Sequence, residues 1–164
     1  MTISSSSLVA SRVCDLHAAH VSACAALVEG SSLMARYRYH GEQAAAQLRA
    51  AIAGEGDADL RVAVGGDGEV LGFAWLLPRG AFGRSAYLKL ILVDPAARGR
   101  GVGAALIDDL EARHLGRAGL LLLCTADNAA ARRFYEHLGY RSMGLLPGYV
   151  IPEIDEVIYY KPRP

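Results

Sequence analysis

The chain has 164 residues, of which 52% are hydrophobic and 21% charged, a composition typical of a globular protein rather than a disordered one. Its 17 lysines and arginines balance its 17 aspartates and glutamates, and this lack of a basic excess argues against a nucleic-acid partner. No apolar run comes near the about 20 residues that a membrane-spanning helix needs, so we expect no membrane contact.

The N-terminal residues and the cysteines predict where the protein works. Residues 1–7 have neither a charged start nor a long apolar stretch, which predicts a polar, disordered end instead of a secretory signal. Residues 8–164 fit a single domain of ordinary size, without internal repeats or a linker. Cys14, Cys24 and Cys124 are odd in number and widely spaced, which favours a reducing cytoplasm over a disulfide framework. We therefore expect a cytoplasmic protein.

The first elements along the chain are a strand and a helix. Residues 8–14 alternate loosely between apolar and polar side chains and predict the strand. Asp15 is expected to cap a helix over residues 16–28. His17 and His20 lie three residues apart on this helix, a spacing that a metal could use. No third type of ligand lies nearby in the sequence, so we expect solvated histidines and no metal.

A connection rich in aromatic and cationic side chains comes next. Residues 33–41 contain two tyrosines, two arginines and a histidine, and they precede a second helix predicted over residues 42–53. Residues 60–64 and 70–77 are then predicted to be two strands on either side of a glycine-rich turn, which is typical of a hairpin.

A strand, a turn rich in glycine and arginine, and a helix occupy residues 87–115. Residues 87–93 predict a buried strand, which ends at Pro95 because proline lacks a backbone donor. Residues 98–104 then open a helix with one apolar face. Glycines at a helix N-terminus allow close approach of a ligand, and the unpaired N–H groups of the first turn attract an anion such as a pyrophosphate.

Two kinds of nucleotide-binding loop contain such glycines. Gly99-x-Gly101-x-x-Ala104 satisfies the dinucleotide-binding fingerprint, with Asp127 near the position of the ribose-binding acid. That fingerprint directly follows its strand, whereas residues 94–98 intervene here, and no second βαβ half is visible. The better match is the Arg-x-x-Gly-x-Gly pattern that begins at Arg98, which resembles the signature of acetyl-CoA-dependent acyltransferases.

A second motif lies on the next strand and helix. Residues 119–125 predict a short buried strand, and the following helix is capped by Asp127 or Asn128 and ended by Gly139. The pattern Asn-x-x-Ala-x-x-x-Tyr-x-x-x-Gly-Tyr, which begins at Asn128, is similar to the second cofactor segment of the same acyltransferases. With both motifs in this order, the chain resembles the GNAT N-acyltransferase superfamily.

The remaining elements agree with the GNAT order. Residues 140–143 predict a short strand, Pro147 and Gly148 a turn, and residues 157–160 a closing strand. The order β-α-α-β-β-β-α-β-α-β-β is the one that this superfamily shows. The resemblance therefore implies an α/β (α+β) fold with a mixed central sheet of six to seven strands.

The resemblance also implies the reaction, which is transfer of an acetyl group from acetyl-CoA to a primary amine, with a small molecule as the expected acceptor and no metal. Three alternatives stay open: a protein or peptide N-acetyltransferase, a non-catalytic acyl-CoA-binding domain and a nicotinamide-binding protein. Dimers are common in the superfamily, so a homodimer is an open prediction.

The resemblance assigns the cosubstrate contacts. The pantetheine arm would lie along the exposed strand edge at Ile91, Leu92 and Val93. The pyrophosphate would lie on the backbone of Arg98, Gly99, Arg100, Gly101, Val102, Gly103 and Ala104. Asn128 and Ala131 would contact the arm from the other side. Tyr135 would donate its proton to the departing thiolate, since a phenol with a pKa of about 10 is protonated at neutral pH. The alternative role for Tyr135 is a core aromatic on an amphipathic helix.

The general base is where the sequence departs from the superfamily, because residues 88–91 lack the carboxylate that many relatives carry on this strand. The candidates that stay open are Glu153, Asp155, Glu156 and His40. Lys89 either faces solvent or repels a cationic substrate and so favours one that bears a carboxylate. Cys124 has no base beside it, so we expect an inert thiol.

The resemblance places the acceptor pocket between the helix connection, the third and fourth strands and the penultimate loop. The residues implicated there are Arg36, Tyr37, Tyr39, His40, Trp75, Tyr87, Lys89 and Tyr149. Arginine binds carboxylates in a bidentate manner, so the hypothesis is a small amine that also carries an acid or an aromatic group. The alternative is that these residues only pack the lid of the site.

Overall fold

A computed structural model describes residues 11–164, in which strands form one mixed sheet with helices on both faces. The strands are β1 (Arg12–Asp15), β2 (Asp59–Val64), β3 (Val70–Ala81), β4 (Ser85–Val93), β5 (Leu120–Thr125), β6 (Arg141–Ile151) and β7 (Ile154–Lys161). The helices are α1 (Val21–Glu29), α2 (Ser32–Arg36), α3 (Gly41–Ile52), α4 (Val102–Ala118) and α5 (Ala129–His137).

The spatial order of the sheet is β1-β2-β3-β4-β5-β7-β6. Neighbouring strands are antiparallel except for β4 and β5, which are parallel and joined by α4. The predicted mixed sheet is confirmed, with seven strands. One element was not predicted: the short helix α2 lies within the aromatic connection, and the Ser31 side chain caps it by accepting a hydrogen bond from Met34 N.

Each face of the sheet has its own apolar core. On one face, Val21 and Cys24 of α1 and Leu48 of α3 pack with Phe73 and Trp75 of β3. On the other face, the α4 side chains Leu106 and Leu110 pack with residues of the central strands β3, β4 and β5. The strands alternate their side chains between these two cores, which fixes the register of the sheet.

Asp15 does not cap a helix, which corrects the prediction. It ends β1, and its carboxylate accepts a hydrogen bond from Arg61, whose side chain is only 5% exposed. Asp109 of α4 accepts a second bond from Arg61 Nε at 2.7 Å. A buried guanidinium requires such carboxylates. The chain then passes through the 3-10 turn Ala18–His20 before α1 begins at Val21.

The predicted turn at Pro147 and Gly148 is wrong, because both residues lie inside β6. The pairing of β6 with β7 shifts register between Leu146 and Ile151, and Gly148 adopts a positive φ of 53°. Since β6 is an edge strand, proline is tolerated there, and the irregular stretch bulges without reversing the chain. The reversal comes at residues 152–153.

Several predictions about the whole chain stay predictions. Residues 1–7, and residues 8–10 of the predicted first strand, lie outside the described residues. Cys14, Cys24 and Cys124 are free thiols, but the cytoplasmic location is not tested, and neither is the single domain over residues 8–164. Among the helices of residues 11–164, none combines the length and the apolar character that crossing a membrane requires.

Gly119, directly after α4, tests how closely α4 and β7 pack. Its φ is 78°, and a Cβ added there would lie 2.5 Å from the carbonyl oxygen of Lys161. We expect Gly119→Ala to lower the free energy of unfolding by about 2 kcal/mol or more in a urea titration. Gly116→Ala is the matched control, because Gly116 lies within α4 with open space around it, and this change should raise stability by about 0.5–1 kcal/mol. Equal effects of the two changes would contradict the steric explanation.

Candidate active site

The candidate site is a wedge between β4 and β5. These strands pair only from Ala86 to Leu88 on β4 and from Leu120 to Leu122 on β5. Beyond these positions β4 pairs with β3 and β5 pairs with β7, so their facing edges have no strand partner. An open strand edge presents N–H and C=O groups with which an extended ligand can pair. The residues predicted to hold a pantetheine arm, Ile91, Leu92 and Val93, lie on the open part of β4.

A bulge at Lys89 marks the point where β4 leaves β5. Leu88 pairs with Leu76 and Leu90 pairs with Trp75, so Lys89 is an extra residue in β4. Its ammonium lies 3.9 Å from the ring centre of Trp75, a cation–π contact, and burial lowers its pKa.

The turn before α4 fits a pyrophosphate. Gly99 and Gly101 have φ values of 72° and 83°, and a Cβ at either position would meet nothing within 4 Å, so a ligand has room there. The first helical bond joins Ala105 N to Gly101 O, which leaves the N–H groups of the first turn free for an anion. Arg98 and Arg100 are exposed and form no ion pair within residues 11–164.

Gly103 has a different purpose from the other two glycines of the turn. A Cβ there would lie 3.2 Å from the ring of Phe134, so its small size allows α4 to pack against α5. The turn therefore needs glycine for a left-handed backbone at two positions and for helix packing at the third.

Asn128 caps α5, so of the two predicted caps the asparagine is the one used. Its Oδ1 accepts a hydrogen bond from Ala131 N at 3.1 Å. No group in residues 11–164 accepts a hydrogen bond from its amide NH₂, which leaves this donor free for a ligand.

Tyr135 of α5 lies near both strands of the wedge, because Cys124 of β5 and Tyr87 of β4 both act on its hydroxyl. Its side chain is 6% exposed, and burial followed by the nearby Cys124 and Tyr87 raises its pKa, so the phenol is protonated at neutral pH. No group of the described chain hydrogen-bonds to its hydroxyl. Among the described residues, Trp75 Nε1 is the one fully enclosed side-chain polar atom without a partner, so the Tyr135 hydroxyl is unpaired but not fully enclosed.

The connection between α2 and α3 is tied to the β5–β7 half of the sheet by three consecutive residues. Arg36 forms a bidentate ion pair with Asp127, with N–O distances of 3.1 and 2.8 Å. Arg38 donates to Glu153 at 2.8 Å. Tyr37 makes the third tie. The guanidinium of Arg36 is therefore already paired. The Asp127 carboxylate, which a dinucleotide ribose would need as its acceptor, is paired as well.

Residues 36–38 form a strap, and Tyr37 is its central residue. Its hydroxyl donates to Glu156 and lies 2.7 Å from Thr125 Oγ1. Arg38 has a φ of 55°, which is uncommon for a residue with a side chain. This left-handed conformation costs about 1–2 kcal/mol of conformational energy. The strap is thus held in a strained shape by polar contacts at all three residues.

Glu156 of β7 is 2% exposed and has no lysine or arginine partner within residues 11–164. Its Oε1 accepts the Tyr37 bond, while Oε2 has no donor in the described chain but is not fully enclosed. Burial raises the pKa of this carboxyl, whereas the Tyr37 bond and the charge of Arg36 oppose that rise. Such a carboxylate can take up a proton closer to neutral pH than an exposed one.

The remaining predicted acceptor residues divide into two groups. Tyr87 lies on β4 opposite Leu121 of β5, just before the wedge begins. Burial, followed by the charges of Glu156 and Tyr149, raises its pKa. Tyr149 itself is 66% exposed on β6. The Tyr39 hydroxyl instead donates to Gln47 on α3 at 3.0 Å, and His40 is the N-cap residue of the same helix.

Thr125 was missed in the sequence, and the structure decides the role of Cys124. Thr125 was not singled out, although a polar residue at the end of an apolar strand was the available signal. Burial raises the pKa of the Cys124 thiol to about 11, so it is no candidate nucleophile. Within residues 11–164, no group of three or more His, Cys, Asp or Glu side chains could hold a metal.

The chain matches the acetyltransferase (GNAT) family over residues 29–140, which is more than half of its length. The chain belongs to the GNAT family. The family resemblance of the two sequence motifs is thereby confirmed, and the matched region contains the α4 turn, both strands of the wedge and Tyr135.

Among similar proteins, a mycothiol acetyltransferase of Beutenbergia cavernae is 39% identical over 92 residues, which cover 53% of this chain and 29% of that protein. The chain thus matches less than a third of that relative. The crystal structure of a nourseothricin acetyltransferase is 30% identical with a TM-score of 0.59, covering 66% of each chain. A GCN5-related N-acetyltransferase from Kribbella flavida is 26% identical with a TM-score of 0.74, covering 93% of this chain and 98% of that one.

The buried Glu156 carboxylate should make stability depend on pH. Its raised pKa means that the folded state binds this proton more tightly than the unfolded state, so ionisation costs stability as pH rises and the cost vanishes at low pH. Glu156→Gln keeps an acceptor oxygen for Tyr37 and removes the charge. We expect its melting temperature to exceed that of the wild type at pH 8, with a difference that shrinks towards pH 4. A difference that is independent of pH would contradict this interpretation.

Proposed function

We propose that this GNAT protein transfers the acetyl group of acetyl-CoA to the primary amine of a small molecule. The observation that carries the proposal is the open wedge between β4 and β5, next to a helix N-terminus with free N–H groups and two unpaired arginines. A pantetheine arm is an extended chain with amide groups, and a pyrophosphate is an anion, so the two features suit the two parts of one ligand.

The chain's residues would act on this cosubstrate at three places. The free edge at Ile91 and Val93 pairs with the amides of the arm, and the turn from Arg98 to Ala104 holds the pyrophosphate. The free NH₂ of Asn128 donates from the opposite side, near Ala131. When bound, acetyl-CoA supplies an activated acetyl group as a thioester.

Tyr135 would supply the proton for the sulfur. As the amine nitrogen bonds to the acetyl carbon and the carbon–sulfur bond breaks, the electron pair moves to the sulfur, which needs a proton to leave as a thiol. The Tyr135 hydroxyl is protonated, has no competing acceptor in the described chain and is not fully enclosed. These properties support a donor role over that of a core aromatic.

Similar proteins support a small acceptor, because two of them are named for acetylation of mycothiol and nourseothricin. A protein or peptide acceptor and a non-catalytic acyl-CoA-binding domain are the alternatives. An acceptor screen with both small amines and peptides, read out by thiol release, separates them. A homodimer and a cytoplasmic location remain part of the proposal.

Ligand binding to the turn can be tested by thermal unfolding with acetyl-CoA, CoA and NAD in parallel. A ligand that binds only the folded state at 100 times its Kd adds about 2.7 kcal/mol of stability. We expect both CoA species to raise the melting temperature and NAD to leave it unchanged. Stabilisation by NAD alone, or by none of the three, would contradict the proposal.

Arginine variants make this binding test specific. Arg98→Ala and Arg100→Ala should each weaken acetyl-CoA binding about tenfold, since a charge-assisted hydrogen bond contributes about 1.5 kcal/mol or more. Neither change should affect acetyl-pantetheine, which lacks the pyrophosphate. Arg49→Ala, at an exposed position of α3, is the matched control for the loss of one charge.

The role of Tyr135 can be tested by Tyr135→Phe. We expect kcat to fall about 100-fold or more while the Kd of acetyl-CoA stays the same, because only the proton donor is lost. Tyr160→Phe is the control, since the Tyr160 hydroxyl donates to Ala118 O at the far end of the sheet. Equal kcat values for Tyr135→Phe and the wild type would exclude the donor role.

A further inference from the structure

We infer that Glu156 binds and deprotonates the acceptor amine, and that the acceptor is a cationic primary amine not recognised through a carboxylate. This inference rests on the proposed acetyl transfer and adds to it the general base and the charge of the substrate. Glu156 lies on β7, whereas the family resemblance directs attention to β4, where residues 88–91 offer no carboxylate.

The first argument is the missing cation. Glu156 is 2% exposed, and a carboxylate at that depth is costly unless a positive group compensates it. No lysine or arginine of the described chain pairs with it, and its Oε2 has no donor while remaining reachable. A substrate ammonium at Oε2 would supply both the donor and the charge.

The second argument is the way in which the carboxylate is held. Tyr37 donates to Oε1, and Thr125 Oγ1 lies 2.7 Å from the Tyr37 hydroxyl, so the strap and β5 together fix one oxygen. The other oxygen is left for a ligand. Thr125 opposes Glu156 across the β5–β7 pair, on the part of β5 that has left β4, so β5 alone separates Glu156 from the wedge. The charge of Glu156 also acts on Tyr87 of β4, the other strand of the wedge.

The third argument is the charge next to Glu156. Lys89, where β4 leaves β5, places its ammonium on the Trp75 ring and forms no ion pair with Glu156. The arginines of the strap are both taken, Arg36 by Asp127 and Arg38 by Glu153. Glu156 is left uncompensated, so an ammonium is favoured over a carboxylate at this place. The sequence had suggested that Arg36 binds an acid group of the substrate, whereas in the structure Arg36 binds Asp127.

The titratable and charged groups that act on Glu156 come from every neighbouring element. They are Arg36 and Tyr37 of the strap, Tyr87 of β4, Cys124 of β5, Asp127 after β5, and Asp155 of β7. Burial and the two aspartates raise the pKa of the carboxyl, while Tyr37 and Arg36 lower it. The same group can therefore attract an ammonium when ionised and accept its proton.

The protons balance over one turnover. Glu156 takes the first proton from the ammonium and releases it to solvent. The neutral nitrogen then bonds to the acetyl carbon, the carbon–sulfur bond breaks, and Tyr135 gives its proton to the sulfur. The second proton from the nitrogen restores the phenol. The products are an amide, free CoA thiol and one released proton.

The first test follows the Glu156 carboxyl directly by ¹³C NMR of glutamate-labelled protein, with the signal identified by its loss in Glu156→Gln. We expect it to titrate above the ordinary glutamate range, and Tyr37→Phe to move the midpoint upward by about one pH unit. Benzylamine should move it downward, and the neutral benzyl alcohol should not. Phenylglycine, which adds a carboxylate to benzylamine, should bind no better than benzylamine.

An ordinary midpoint, no response to benzylamine, or tighter binding of phenylglycine would overturn the inference. These outcomes do not depend on turnover, so they are separate from any failure of the proposed function. Transfer by the wild type to no amine at all would refute the proposed function, while the titration still decides whether Glu156 binds an ammonium.

The second test uses the best acceptor of the amine screen. Glu156→Gln should lower kcat/KM about 100-fold or more at pH 7, through both a higher KM and a lower kcat, and should remove the acidic limb of the pH profile. Tyr37→Phe should shift that limb to higher pH. Glu55→Gln, an exposed carboxylate in the turn after α3, is the matched control. A Glu156→Gln enzyme that keeps wild-type activity and the acidic limb would exclude the base.

Discussion

The extra residue at Lys89 separates β4 from β5, and the rest of the site depends on this separation. A bulge bends its strand and increases the local twist, and here it directly follows the last position at which the two strands pair. Without it, parallel pairing could continue and fill both edges. The bulge therefore leaves backbone donors and acceptors available in the middle of the sheet, where they are normally all used.

Tyr135 and Glu156 are both buried acids, and burial has different consequences for each. For Tyr135, a raised pKa keeps the phenol protonated at neutral pH. For Glu156, a raised pKa brings an otherwise strong acid closer to neutral pH, where it can exchange protons. One physical cause, loss of hydration, thus keeps the phenol protonated and makes the carboxylate a better proton acceptor.

The sequence predicted the sheet and the α4 turn because these depend on local patterns. Apolar runs, proline after β4 and glycines before α4 each determine structure within a few residues. The strap could not be predicted in the same way. Arg36 and Asp127 are 91 positions apart, and Tyr37 and Glu156 are 119 apart, so only the fold reveals that they meet. Arg36 was correctly predicted to bind a carboxylate in a bidentate manner, but that carboxylate is Asp127 of the same chain and not a substrate group. Asp15 was misassigned for the same reason, since its distant partner is Arg61.

The three ties of the strap differ in their exposure, and this difference affects how ligands enter and leave. The outer ties are ion pairs between exposed side chains, which dissolved salt screens. The central tie, from Tyr37 to Glu156, is shielded from the solvent and responds little to salt. A rise in ionic strength would therefore weaken the two outer ion pairs first, while the Tyr37–Glu156 hydrogen bond remains. The acceptor would then exchange faster, and the Glu156 carboxylate would keep its alignment.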